Sequence, residues 1–158
     1  MTDCANTEPL CFDELELELS ATIVEVHDRI VKTKGFNPDV SEEQYEETVG
    51  RVASVVSSIF CTIFGESPKR RYEDVFDQLS TFAAHLSRDH IFPDANKRTT
   101  VVMVMAFLRV TGLTLDIDDS EDPSSNVLYI WVQHIVSSEK TVDELAAILR
   151  ENAKKLSK

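Results

Sequence analysis

No apolar run in this chain is long enough to cross a bilayer. The densest stretch, Thr99 to Val110, has Arg98 at its start and Arg109 near its end, whereas a membrane-spanning helix needs about 20 apolar residues. Met1 to Pro9 carry neither a basic segment nor an apolar core, so no export signal is expected. Cysteine is scarce: Cys4, Cys11 and Cys61 are odd in number and form no CxxC pair. That excludes a disulfide framework and disfavours a zinc site, and a reduced, cytoplasmic chain is the expectation. Basic residues are outnumbered, 16 against 28 acidic, for a net charge of -12. Such a surface repels phosphate backbones and anionic lipid, so no direct nucleic-acid partner and no membrane partner are expected. Internal repeats and low-complexity linkers are absent too.

What remains is an ordinary globular composition, 42% hydrophobic and 28% charged over 158 residues, enough for one domain. Residues 1–13 read as a loose leader and 14–158 as the domain. Glu14 to Leu19 alternates Glu and Leu, which predicts a short edge strand with Leu15, Leu17 and Leu19 on one face; an acidic helix start is the alternative. Leu19, Ile23, Val26 and Ile30 then step by four, three and four, predicting a helix capped by Ser20 and ended by Gly35. Ser41-Glu42-Glu43-Gln44 has the form of a capping box, and Tyr45, Val49, Val52, Val56, Ile59 and Ile63 follow as an apolar stripe. Gly65 to Pro68 breaks that helix, and a basic connector, Lys69 to Tyr72, leads to a third helix with Val75, Leu79, Phe82 and Leu86 inward.

A long helix from about Ala95 to Thr111 is apolar over most of its circumference, as a central helix would be. Leu113 to Ile117 predicts a short strand, and Asp118 to Asp122 a solvated acidic loop. Pro123 is placed to open a helix to about Ser137. Thr141 to Glu144 is a second capping box, opening a last helix whose basic end, Lys154 to Lys158, suits a helix C-terminus. The expected fold is mainly α: about six helices around a central one, with minor short strands.

The chemistry concentrates in His90-Ile91-Phe92-Pro93-Asp94-Ala95-Asn96-Lys97-Arg98. The loop precedes the central helix, whose unpaired N–H groups and positive dipole end favour an anion. Lys97 and Arg98 in the first turn oppose the dipole, and an anion between them would relieve that conflict. Asp94 adds one carboxylate, and magnesium binds through one or two carboxylates plus substrate phosphates. His90 can take a proton from an incoming hydroxyl. His27, His85 and His134 lack such a context and are read as cap or surface residues.

The nine-residue loop resembles the signature of the Fic/Doc superfamily, and His27-Asp28 on the first helix resembles its Doc branch. The resemblance implies the Fic/Doc helical fold, ATP as co-substrate and Mg²⁺ as cofactor. It implies His90 as general base, Asp94 as magnesium ligand, Phe92 as a buried anchor, and Asn96 and Arg98 on the ATP phosphates. Nucleotidylating members carry Gly where this chain has Lys97, and a second Arg where it has Val101. Both departures are similar to the Doc branch, so the implied reaction is γ-phosphate transfer to a Ser or Thr hydroxyl of a protein target. Lys97 would add a point charge to the phosphate site. AMP transfer is the alternative, and a catalytically silent binding module the second. The family target, elongation factor Tu, implies translation arrest, and inhibition by an antitoxin in trans is implied. No internal Ser/Thr-x-x-x-Glu-Gly/Asn inhibitory motif is found. By position, Arg70, Arg71 and Tyr72 would form the target-binding flap.

Overall fold

The computed structural model describes residues 6–33, 41–92 and 95–157. Seven helices and two short strands run through them: α1 Glu16–Thr33, α2 Glu42–Phe60, α3 Pro68–Arg71, α4 Val75–Arg88, α5 Asn96–Val110, β1 Leu113–Leu115, α6 Val127–Val136, α7 Val142–Asn152 and β2 Ala153–Lys155. The fold is mainly α, as expected. No helix among the described residues is long and apolar enough to cross a membrane.

Local chemistry sets most boundaries. The Ser41 hydroxyl accepts from the Gln44 amide while the Gln44 side chain accepts from the Ser41 amide, and Thr141 and Glu144 do the same for α7. Asp74 caps α4 and Asn126 caps α6. Asn126, not Pro123, thus sets the start of α6; its side chain accepts from the Tyr129 amide while donating to Asp119.

The first segment departs from expectation. Glu16 to Leu19 is helical, with Leu15 50% and Leu17 63% exposed. Ser20 is therefore inside α1, its hydroxyl donating to the Glu16 carbonyl, and it caps nothing. The buried face is Ser20, Ile23, Val24 and His27, a small rotation from the expected stripe. Gly35 lies outside the described residues. The leader is tied down over residues 7–12: the Phe12 amide donates to Phe60, the Val75 amide to Thr7, and the Gln78 carboxamide bonds both the amide and the carbonyl of Leu10. At the other end, Ala153–Lys155 leaves the helix and pairs antiparallel with Leu113–Leu115.

α4 and α5 share the centre, with α1 and α2 on one side and α6 and α7 on the other. Val75, Leu79, Phe82 and Leu86 are fully buried, as their spacing predicts. Phe12, Phe60, Phe82 and Phe107 form a ring cluster with centroids 4.7–5.8 Å apart. The α2 stripe is buried at Val52, Val56 and Ile59, but Tyr45 is exposed and Ile63 lies beyond the helix end. α5 is not enclosed on all sides: Val102 and Val110 remain 43% and 64% exposed.

Arg150 of α7 grips Asp74 at the start of α4, Nε to Oδ2 at 2.8 Å and Nη2 to Oδ1 at 3.1 Å. Partial burial raises the Asp74 pKa, but the Arg150 guanidinium and the Asp77 amide outweigh it and hold the carboxyl below its usual range. Losing the cap costs about 1 kcal/mol and losing an exposed pair less. Asp74→Ala is expected to destabilise the fold by about 1–2 kcal/mol in denaturant titration. Because the folded pKa is depressed, this contribution is present above the unfolded carboxyl's pKa and fades as pH falls through the folded value. The gap between wild type and variant should therefore close in acid, below the ordinary carboxylate range.

Candidate active site

His90, Ile91 and Phe92 leave α4, and Ala95 enters α5. His90 has φ 49° and Ala95 φ 62°, so both flanks of the signature loop are left-handed. For residues other than glycine this conformation needs support from the surroundings. Part of it is internal. The Asn96 carboxamide donates to the Phe92 carbonyl at 2.7 Å and accepts from the Phe92 amide at 3.2 Å. Both ends of Asn96 are thus engaged in closing the loop, which is a different role from gripping phosphate.

The rest is tertiary. Phe92 is buried, and the His27 ring lies flat on it, centroids 3.8 Å apart and 8° from parallel. His27 is only 6% exposed, with Nδ1 3.0 Å from Asp28 Oδ1. His27 is thus not a cap or surface residue: it packs against the loop anchor, near the site, as its resemblance to the Doc branch implies. Its spacing from Ser20, Ile23 and Val24 on one helix face was the available signal. Across the loop, the Arg51 guanidinium of α2 reaches the carbonyls of Asp89, His90 and Ile91 at 3.2–3.3 Å. Nothing local in the sequence marks Arg51.

α5 starts without a side-chain cap among the described residues, and its first turn holds no acidic residue. By contrast α2, α4, α6 and α7 are all capped by side chains. Lys97 and Arg98 stand in the first turn of α5, at the positive helix end, the local chemistry of an anion site. Lys97 Nζ sits 5.4 Å from the centre of the Tyr129 ring. Arg98 lines a pocket of about 530 Å³ together with apolar Ile30, Val101 and Val102 and with Asp119 and Tyr129. The acidic loop is exposed, as expected, but it also forms one wall of this pocket. The Asp122 carboxyl is held below its usual range mainly by Ser124, with Arg98 contributing.

Asp94 and Pro93 lie outside the described residues. Among those described, no cluster of three or more His, Cys, Asp or Glu could hold a metal. Cys61 is no competing nucleophile: burial, with Glu16 and Asp13 nearby, pushes its thiol up to about 11.

The expected flap residues stand at the opposite end of α4 from His90. Tyr72 precedes α4 and His90 follows it, and a 14-residue helix is about 21 Å long. Arg71 donates to the carbonyls of Ser58 and Cys61 at 2.7 and 2.6 Å, so it closes the far end of α2. Arg70 is exposed at that same far end, and the segment Pro68–Arg71 is a helical turn rather than an extended edge.

This helical frame, with the signature loop feeding a basic helix start, matches a known family. A family model described as the Fic/DOC family matches residues 17–108, more than half of the chain. The chain belongs to the Fic/DOC family. It is 30% identical over 92 residues to a curated protein of Escherichia phage P1 named protein kinase doc, covering 58% of this chain and 64% of that one. The match thus spans just under two thirds of the relative's length.

Proposed function

We propose that this protein is a Doc-like transferase that moves the γ-phosphoryl group of ATP onto a Ser or Thr hydroxyl of a protein target. The observation that carries the reading is the doubly basic start of α5, whose Arg98 lines a pocket together with Val101. Arg at that position would extend the phosphate grip along α5. Val101, with Ile30 and Val102, offers apolar surface instead, which suits a nucleoside better than a phosphate tail. The reading orients a nucleoside held there with its phosphates at the basic start of α5.

His90 is exposed and free to meet a macromolecular target. In the step, His90 takes the hydroxyl proton as the oxygen bonds to the γ-phosphorus. The bond from that phosphorus to the β,γ-bridging oxygen breaks, and ADP leaves. Arg98 and the α5 amides stabilise the charge on the transferring group. Asp94 is the residue that would hold magnesium; one carboxylate together with substrate phosphates is a suitable donor set. When bound, the ion neutralises phosphate charge. The relative's name supports a kinase, and the family resemblance makes elongation factor Tu the first target to test and an antitoxin the expected regulator in trans.

The test is the intact mass of the purified target after incubation with protein, ATP and magnesium. A gain of one phosphoryl group per site supports the proposal. A gain of one AMP would overturn it in favour of nucleotidyl transfer.

A further inference from the structure

The strongest unassigned feature is Arg51. It lies on α2, 38–40 residues away in sequence from the three carbonyls it meets, with Nη2 3.2 Å from Asp89 O and 3.3 Å from His90 O, and Nη1 3.3 Å from Ile91 O. These are consecutive carbonyls at and beyond the end of α4, where the helix leaves acceptors unpaired and the dipole is negative. The middle one belongs to His90 itself, in the left-handed conformation. A residue held there persists only if its surroundings determine it. Asn96 and His27 act on the loop through Phe92, downstream of His90. Of the contacts described, only the Arg51 guanidinium spans residues 89 to 91.

We infer that Arg51 is a positioning residue that fixes the backbone of the general base. This inference rests on the proposed role of His90. The chemistry is specific to a guanidinium: a planar fork can serve several carbonyls at once, whereas an ammonium is a single point donor. Arg51 is exposed, and its contacts to the Asp89 and His90 carbonyls lie at the surface, where water can take its place. Its loss releases the direction in which the His90 side chain points, and small misplacements of a catalytic group cost about a hundredfold.

The experiment compares wild type with Arg51→Met and Arg51→Lys. The expected result is a kcat lowered about a hundredfold in Arg51→Met, with KM for ATP within about threefold. Methylguanidinium added to Arg51→Met restores part of the rate, and Arg51→Lys gives an intermediate kcat. A second readout is independent of catalysis. Hydrogen exchange of the Phe92 amide, which Asn96 protects, quickens about tenfold or more in Arg51→Met, while amides in the middle of α4 keep their rates. An unchanged Phe92 rate overturns the inference, as does a loss carried wholly by KM. A general rise in exchange across α2 and α4 would also overturn it, by showing a purely structural role; if Arg51→Met fails to fold, that same conclusion follows unless Arg51→Lys folds with slowed kcat and local loosening. Should wild type transfer nothing from ATP, the proposed function fails, and the exchange arm alone decides whether Arg51 orders the loop.

Discussion

His90→Ala is expected to lower transfer by about 10²–10⁴-fold, the usual worth of a general base. The side chain is exposed and outside the core, so stability should stay within about 1 kcal/mol. The backbone at His90 has φ 49°, a region that asparagine tolerates well. His90→Asn therefore separates chemistry from backbone: it keeps the left-handed turn but lacks the base. Both variants should bind ATP like wild type, because phosphate recognition is assigned to Arg98 and the start of α5. Transfer is read by label incorporation and folding by thermal unfolding. Unchanged transfer in His90→Asn would remove His90 from the mechanism, and weak transfer with lost ATP binding would mean that His90 shapes the nucleotide site.

Phe60→Ala is expected to have the largest effect on stability. Phe60 is fully buried and its ring meets Phe12, Phe82 and Phe107. Deleting a buried phenyl ring costs about 3–5 kcal/mol, through lost transfer energy and the cavity left behind. That is a large share of the roughly 5–15 kcal/mol typical of a domain, or a fall in midpoint of roughly 6–20 °C for a chain of this size. Phe12→Ala should cost less, because Phe12 is only partly buried. Denaturant titration checks both. A loss below about 1.5 kcal/mol for Phe60→Ala would be hard to reconcile with a cluster packed as described.

The parts legible in the sequence were those with local causes. Ser41 with Gln44 and Thr141 with Glu144 specify their helix starts through bonds three residues apart. The spacing of Val75, Leu79, Phe82 and Leu86 specifies one buried face. The signature loop is contiguous, so its place between α4 and α5 was readable. The misreadings have causes outside any local window. Glu14 to Leu19 alternates like a strand, yet Glu and Leu are strong helix formers, and no facing strand exists among the described residues to reward the alternation. β2 forms because β1 lies about 40 residues earlier, as Leu113 faces Lys155. His27 was obscured by a rotation of the α1 face, and Arg51 by its distance in sequence from the carbonyls it holds. Asn96 shows the limit of a motif: its presence was evident, but its two bonds to Phe92 were not.

The most direct test of the account uses ATP labelled at either the γ- or the α-phosphate. Each is incubated with the protein, magnesium and elongation factor Tu, with a bacterial lysate as a second target source and His90→Ala as control. Label is expected on a protein from the γ position only, and none with His90→Ala. Label from the α position, dependent on His90, would contradict the reading of Lys97 and Val101 and make the protein a nucleotidyl transferase.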